Sequence, residues 1–203
     1  MDYLQHLQKD KKLAKILMEP LPPLRLRKNI ALRLMASIMS QQLSTKVAQV
    51  IYRRFLKLYY GKEPKPQQVL DTPFDLLRSI GLSNAKVGYV KNVAEFCIEN
   101  KISDKKLLSM SNHEIIEKLV AIKGVGQWTV EMLLMFTLGR EDIFAVDDLG
   151  IQQAMIKLYN LDASNKKLLK EKMAKLAAKW SPYRTYACLH LWQWKDMRLV
   201  AKE

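Results

Sequence analysis

An aspartate pair is the first candidate for chemistry in this sequence. Asp147 and Asp148 directly precede a segment whose apolar residues recur at helical spacing from Ile151 to Tyr159. The dipole of a helix keeps a carboxylate at its N-terminus ionised, and such an anion can stabilise a positive charge. Capping the helix is the commoner task of an aspartate in this position, so both roles stay open for the pair.

A second candidate is the segment Val120–Thr129, which reads V-A-I-K-G-V-G-Q-W-T between two helical patterns. Glycine is needed where the backbone takes positive φ or approaches a partner closely. The hairpin would present backbone N–H groups beside a helix N-terminus, which favours an anion. Gly124, Gly126 and Thr129 are therefore placed to bind a phosphate. An ordinary corner between two helices is the structural alternative.

The tryptophans suggest a ligand surface. Trp128 and Met132 stand at i and i+4, so they share a helix face. An indole stacked on a cationic ring gains a cation–π interaction. Packing into the core is the alternative for each of these side chains.

The charge balance points to a polyanionic partner. The 203-residue chain has 34 Lys and Arg against 20 Asp and Glu, a net charge of +14, with a pI of about 9.7. Phosphate neutralisation and counterion release favour a basic surface on nucleic-acid-binding proteins. A Lys-rich surface that aids solubility is the alternative. The 49% hydrophobic content indicates a globular chain.

Cysteine and histidine content restricts metal chemistry. Cys97 and Cys188 are the only cysteines, no CxxC pair exists, and the three histidines are scattered. The chain therefore cannot supply four cysteines to zinc or to an iron–sulfur cluster. No apolar run reaches the roughly 20 residues that span a membrane, and residues 1–17 lack the apolar core of a signal peptide. We expect an intracellular protein, cytoplasmic and nucleoid-associated if it is prokaryotic, without a membrane partner.

Helical periodicity dominates, so the sequence predicts an all-α fold; the best strand candidate, 143–146, is very short. Ser111 and Glu114 form a capping box, and Ser181 with Pro182 resembles an N-cap and first helical position. The predicted helices cover 3–17, 28–39, 44–60, 66–70, 73–79, 84–99, 111–122, 127–138, the segment after Asp148, 164–180 and the segment from Ser181. Helix 127–138 is apolar nearly all round, which predicts central burial.

Four blocks, in the same order along the chain, resemble the helix-hairpin-helix glycosylase superfamily. They are Ser37–Lys46, similar to its DNA-penetrating turn; Gly81-Leu-Ser83 with Lys86, Tyr89 and Val90; the hairpin followed by Asp148; and Trp180–Ala187 with His190-Leu-Trp192. The last block resembles the alkylation-repair branch, DNA-3-methyladenine glycosylase II. Each block is weak alone, and together they cover about residues 28–194.

The resemblance implies one glycosylase domain over 1–203, built as two helical lobes with a DNA-binding cleft between them. Lobe one would comprise about 28–110, and lobe two about 111–203 together with the N-terminal helix in 1–27. The partner would be double-stranded DNA containing alkylated bases, bound by a monomer.

The resemblance also implies site residues. Asp148, 22 positions after Gly126, matches the family's catalytic aspartate, with Asp147 the capping or supporting residue. Trp128, Met132 and Trp192 would form the base pocket, with Gln42 as the wedge, Leu43 its neighbour and Gln41 facing the opposite strand. The implied DNA-binding residues are Gln41, Gln42, Leu43, Ser44, Lys123, Gly124, Val125, Gly126, Gln127 and Thr129. No cofactor is expected beyond a structural Na⁺ or K⁺ ion on the backbone carbonyls of Val120, Ile122 and Val125.

Some positions depart from the family pattern. Lys123 replaces the common hairpin proline and still suits a phosphate contact. The lysine that bifunctional relatives use for a Schiff base aligns with Trp128, which argues against an amine-driven lyase, although slow β-elimination by another lysine stays open. The four cysteines of the iron–sulfur branch are missing, and the chain has no room for the N-terminal β-domain of larger relatives.

The expected function is therefore that of a monofunctional DNA N-glycosylase that flips out and excises alkylated purines. Such bases are cationic and leave with little acid assistance, which agrees with the absence of an obvious second carboxylate. The alternatives are a glycosylase for uracil, mismatched thymine or an oxidised purine, a non-catalytic helix-hairpin-helix DNA-binding module, and a helical scaffold with a basic face.

Overall fold

The computed structural model describes residues 2–200, without the side chains of Thr45 and residues 198–200. Its regular structure is helical, and no strand occurs among these residues, so the all-α prediction is confirmed. The backbone contacts divide the chain into two compact units. The central unit is Arg25–Leu138, and the terminal unit combines the residues up to Leu24 with those from Gly139 onward.

The central unit, all of which is described, contains eight α-helices. They are α2 (Ile30–Ser40), α3 (Thr45–Lys57), α4 (Pro66–Asp71), α5 (Phe74–Ser79), α6 (Asn84–Glu99), α7 (Asp104–Leu108), α8 (Asn112–Val120) and α9 (Gln127–Phe136). Helix α2 packs on α3, α6 and α9, and six of its eleven residues are buried. It therefore forms the centre of this unit, where burial of apolar surface is the main stabilising term.

Sequence signals place the ends of several central helices. The side chains of Ser44, Ser83 and Ser111 each accept a hydrogen bond from a backbone N–H three residues later. Ser111 and Glu114 form the predicted capping box. These contacts satisfy amides that have no partner inside the helix.

The described part of the terminal unit contains α1 (Tyr3–Leu7), α10 (Leu149–Tyr159), α11 (Lys166–Ala177) and α12 (Arg184–Val200), with 3-10 turns at Leu13–Ile16 and Ala178–Trp180. Helix α12 packs on α10 and on both 3-10 turns. The N-terminal segment is held by aromatic contact, since the ring of Tyr3 stacks on that of Tyr186 at 4.1 Å between centroids.

Two predicted helix boundaries are wrong. The helix expected over 3–17 breaks after Leu7, because the Asp10 carboxylate accepts hydrogen bonds from the backbone N–H groups of Lys12 and Leu13 and starts the 3-10 turn. Helix α12 begins at Arg184 and not at Ser181, whose hydroxyl donates to Asp142 instead (2.8 Å). The first error comes from a local turn at Asp10 that the apolar spacing does not reveal, and the second comes from a contact between residues 39 positions apart.

Residues 143–146, the best strand candidate of the sequence, form no strand, in agreement with the all-α prediction. Two further expectations differ from the structure. Helix α9 is not buried all round, since Trp128 and Phe136 are 38% and 42% exposed on one face. The contact division falls after Leu138 and not near residue 110, because α9 packs on α2 and keeps the hairpin in the central unit.

Candidate functional site

Asp148 is the N-cap of α10. Its Oδ1 accepts a hydrogen bond from the backbone N–H of Ile151 (2.8 Å) and another from the indole Nε1–H of Trp192 (2.8 Å). The first bond fixes the carboxylate at the positive end of the helix dipole, and the second fixes its rotation. The geometry thus fixes the orientation of the Asp148 carboxylate through hydrogen bonds to the backbone and to an indole.

Gly150 leaves room for this pair. A Cβ added at Gly150 would lie 3.0 Å from Asp148 Oδ1 and 3.1 Å from the Trp192 indole. Sequence reasoning missed this residue, although a glycine in the first turn of a helix, two positions after a candidate aspartate, is the available signal. The neighbouring Leu149 is 71% exposed, so this helix start is accessible to a ligand.

Asp147 has a different environment from Asp148. Its carboxylate is exposed and forms a salt bridge with Lys170 of α11. The family resemblance gave Asp147 a capping or supporting role, and in the structure Asp148 is the residue that caps the helix. The two aspartates are therefore distinguished by orientation: only Asp148 caps the helix and bonds the indole.

The hairpin between α8 and α9 is a tight turn closed by a hydrogen bond from Val125 N to Ile122 O (3.0 Å). Gly124 has φ +99, and a Cβ there would lie 2.2 Å from the ring of Tyr89, so only glycine fits. The side-chain amide of Asn92 donates to the Lys123 carbonyl (3.1 Å). Helix α6 therefore packs against the hairpin and holds its backbone in place.

Gly126 is the N-cap of α9 and differs from Gly124. Its φ of −91 suits any residue, and no atom lies within 4 Å of a Cβ added there. Folding does not require glycine at this position, whereas close approach of a ligand backbone would. Exposed Lys123 and Gln127 flank it, although the Gln127 amide already donates to Glu131 (2.9 Å).

Two predicted DNA-binding residues of the hairpin region are buried. Thr129 is 2% exposed, and its hydroxyl accepts a hydrogen bond from the Gln41 side chain (3.2 Å). Val125 is 5% exposed, which leaves its backbone as the part available to a ligand or ion. The structure thus brings Gln41 and Thr129 together, through their side chains.

The predicted base-stacking residues of α9 share a face. Trp128 is half-exposed, and Met132 and Phe136 follow at intervals of four residues. A cavity of about 360 Å³ lies beside Met132 and Phe136 within the central unit, with Arg33, Ser37 and Tyr52 on its wall. Arg33 donates to the Tyr52 hydroxyl (3.1 Å) and pairs with Glu63. An apolar helix face thus adjoins a cavity with polar groups, as ligand sites commonly do.

Residues 41–44, between α2 and α3, form a turn with an exposed apex, which we call the insertion turn. Gln42 is exposed and has φ +58, a left-handed conformation that is uncommon in residues other than glycine. Leu43 is 37% exposed, and Ser44 caps α3. Backbone strain of this kind persists only where neighbouring contacts impose it.

The described residues contain no group of three or more His, Cys, Asp or Glu side chains arranged to hold a metal ion. None of the helices in residues 2–200 combines the length and apolar character that crossing a membrane requires. The Ile122 carbonyl, one of the predicted cation ligands, accepts the hairpin hydrogen bond from Val125 and retains a second lone pair.

Comparison with known proteins agrees with this geometry. The family described as "HhH-GPD superfamily base excision DNA repair protein" matches residues 35–179. DNA-3-methyladenine glycosylase 1 of Schizosaccharomyces pombe is 38% identical over 162 residues, which are 79% of this chain and 70% of that protein.

Two solved structures are also similar. The S. pombe 3-methyladenine DNA glycosylase Mag1, in complex with abasic DNA, has a TM-score of 0.82 and 32% identity, covering 95% of this chain and 96% of that one. A DNA-3-methyladenine glycosidase from Bacillus halodurans has a TM-score of 0.81 and 35% identity, covering 94% and 87%. The chain therefore belongs to the helix-hairpin-helix (HhH-GPD) superfamily of base excision DNA repair proteins.

Proposed function

We propose that this protein is a monofunctional DNA N-glycosylase that excises alkylated purines such as 3-methyladenine from double-stranded DNA. The observation that carries the proposal is the orientation of Asp148, whose Oδ1 accepts hydrogen bonds from Ile151 N and Trp192 Nε1. The names of the similar proteins supply the substrate class.

Asp148 acts on the sugar. When the N-glycosidic bond breaks, its electron pair leaves with the base and positive charge develops on the deoxyribose, as an oxocarbenium-like state. The Asp148 carboxylate, held at the start of α10, stabilises this charge. Water then adds to the anomeric carbon and loses a proton, which leaves an abasic site and the free base.

Trp128 and Met132 hold the base. N3- and N7-alkylated purines carry a positive charge, so their glycosidic bond is weakened and little acid catalysis is needed. The half-exposed indole of Trp128 supplies an electron-rich face for such a ring. Trp192 has two tasks in this proposal, since it contributes to the base pocket while its indole N–H orients Asp148.

The hairpin and the insertion turn bind the duplex. Gly126 and the first N–H groups of α9 bind a backbone phosphate, helped by the charge of Lys123. The exposed Gln42 side chain fills the space that the flipped base leaves, with Leu43 beside it. A Na⁺ or K⁺ ion on the carbonyls of Val120, Ile122 and Val125 would add positive charge near the same phosphate.

The reaction is hydrolysis and not amine-driven strand cleavage. Trp128 occupies the position where lyase relatives have their lysine, so no Schiff base forms from that helix start. The protein acts as a monomer, because one lesion presents one site. Sedimentation of the protein with a lesion-containing duplex is expected to give one protein per DNA.

Release of free 3-methyladenine from methylated duplex DNA tests the proposal. Asp148→Asn keeps an N-capping side chain but removes the charge, so we expect release to fall by about 100-fold or more while duplex binding is retained. Asp147→Asn is the matched control and should release base at the native rate.

The outcomes separate the elements of the proposal. No release of 3-methyladenine by the native protein would reject this substrate and direct the assay to uracil, mismatched thymine and oxidised purines. Release that survives Asp148→Asn but disappears in Asp147→Asn would transfer the catalytic role to Asp147.

A further inference from the structure

A lysine of α6 holds the insertion turn. Lys86 Nζ donates hydrogen bonds to the carbonyl oxygens of Met39 (3.0 Å) and Gln41 (2.6 Å). Helix α2 ends at Ser40, so these carbonyls belong to the helix end and have no partner in a further turn. A cation is also favoured there by the helix dipole. Lys86 thereby fixes the backbone on the N-terminal side of Gln42.

A second contact holds the same residue from another helix. The Gln41 side chain donates to the buried hydroxyl of Thr129 on α9, three positions after the hairpin residue Gly126. Gln41 is thus bound through its carbonyl to α6 and through its side chain to α9. The insertion turn is joined to the helix that starts at the hairpin.

These contacts explain how Gln42 keeps an unfavourable backbone. Its left-handed φ of +58 is unfavourable in a residue with a side chain. The bonds of Lys86 and of the Gln41 side chain hold the backbone directly before Gln42, whose own side chain is exposed. The ammonium group is partly removed from water, which lowers the pKa of Lys86. Lys86 therefore exchanges part of its contact with water for the two backbone carbonyls beside Gln42.

We propose that Lys86 is a positioning residue for base flipping, which holds the insertion turn in the shape that lets Gln42 occupy the vacated space. The inference rests on the proposed function, in which Gln42 is the inserted residue. Lys86 contributes to extrusion of the base and not to cleavage of the glycosidic bond. The effect of Lys86 on base release should therefore increase with the free energy needed to extrude the base from the DNA duplex.

Two duplexes separate extrusion from chemistry. In the first, methylated adenines are paired with thymine; in the second, an abasic analogue stands opposite them, so no base pair has to be broken. Lys86→Met is expected to lower single-turnover release from the paired duplex by about 10-fold, the size expected for lost charge-assisted hydrogen bonds. Release from the duplex with opposing abasic sites should stay within about 2-fold of the native rate.

Lys91 provides a matched control on the same helix. Its Nζ donates to the Leu70 carbonyl (2.7 Å) near the end of α4, away from the insertion turn. Lys91→Met removes a similar contact and should release base at the native rate from both duplexes. Lys86→Arg retains donors for the two carbonyls and should recover most of the activity on the paired duplex. Thermal unfolding of each variant shows that it is folded.

Each outcome decides the inference. A loss in Lys86→Met that is confined to the paired duplex, with recovery in Lys86→Arg, supports it. An equal loss on both duplexes, or no loss on either, overturns it, because Lys86 would then act on stability or not at all. Absence of release by the native protein from both duplexes would instead reject the proposed function, and this inference with it.

Discussion

An aspartate hydrogen-bonded to a tryptophan lies at each end of α10, in different surroundings. At its start, Asp148 accepts a hydrogen bond from the Trp192 indole (2.8 Å). Near its end, Asp10 accepts one from the Trp180 indole (3.1 Å) and another from the hydroxyl of Tyr159 (2.7 Å). An aspartate bonded to an indole is therefore not by itself the mark of an active site in this fold.

The difference lies in what else surrounds each carboxylate. Asp10 also accepts the N–H groups of Lys12 and Leu13, and its indole partner Trp180 is 1% exposed. Although burial acts to raise it, the pKa of Asp10 is held below its usual value by these hydrogen bonds. Asp148 instead has an exposed leucine and a glycine as its next neighbours. Both carboxylates are half-buried, so the two pairs differ mainly in the indole, which is buried at Trp180 and half-buried at Trp192.

Replacement of Asp10 is expected to have the largest effect on stability. Asp10→Ala leaves the Tyr159 hydroxyl and the Trp180 indole without their acceptor, and each lost partner costs about 1–3 kcal/mol. We expect the free energy of unfolding in urea to fall by about 3 kcal/mol, while base release by the folded protein stays at the native rate. A loss of less than about 1 kcal/mol would contradict a structural role for this carboxylate.

At the other end of α10, Gly150→Ala should change activity more than stability. The new Cβ would force Asp148 Oδ1 and the Trp192 indole, at 3.0 and 3.1 Å, to shift by a few tenths of an ångström. Since catalysis is sensitive to such displacement, we expect base release to fall by about 10-fold.

Gly88→Ala is the control for Gly150→Ala. Gly88 lies within α6 with no atom within 4 Å of the added Cβ, so the change should raise stability by about 0.5–1 kcal/mol and leave release unaltered. Native-like release by Gly150→Ala would show that the geometry around Asp148 is not limiting.

The pH dependence of stability tests whether buried His190 stabilises the N-terminal segment that carries Asp10. His190 is fully buried, and burial lowers its pKa from the ordinary value of 6.5. Its ring nitrogens contact the Tyr3 hydroxyl (3.4 Å) and the Met18 N–H (3.5 Å), which hold this segment.

The lowered pKa of His190 determines the direction in which stability changes with pH. Below pH 6.5 the unfolded chain binds a proton at His190 that the folded protein does not, so stability is present above this pH and is lost as the pH falls. The loss is at most about 1.4 kcal/mol per pH unit. Unfolding of His190→Gln between pH 7 and pH 5 should show a shallower decline, and an unchanged slope would refute this role.

The smallest effect is expected at Asp147. Its ion pair with Lys170 joins two side chains that are 42% and 43% exposed, and such surface pairs contribute about 0–1 kcal/mol. Asp147→Asn should change the free energy of unfolding by less than about 0.5 kcal/mol, and high salt should abolish even that difference. A larger change would give this carboxylate a structural role closer to that of Asp10.

Local patterns predicted several features correctly, although the turn at Asp10 was missed. The capping box of Ser111 and Glu114 and the extent of α6 are both as predicted. The start of α10 also follows directly from the aspartate pair and the apolar spacing after it. Helix ends and helix faces depend on spacings of three and four residues, which a single sequence displays.

Contacts between distant residues could not be predicted in this way. Ser181 was expected to cap the last helix, but its hydroxyl bonds Asp142, 39 positions away. The Trp192–Asp148 bond spans 44 positions, and the bonds from Lys86 to the insertion turn span 45 and 47. The sequence indicates which residues suit the candidate site, whereas only the packing of helices decides which of them meet.

The empty space around Gly126 allows the requirements of folding and of DNA binding at this position to be tested separately by mutation. Since nothing in the fold would collide with a methyl group there, variants with alanine should pass any screen for expression, solubility or thermal tolerance. If the hairpin holds a phosphate as proposed, the same variants should fail a screen for survival under alkylation. Gly124, pressed against Tyr89, should fail both. Two glycines of one motif, separated by a single residue, would thus differ in which substitutions they tolerate, one limited by folding and the other by repair.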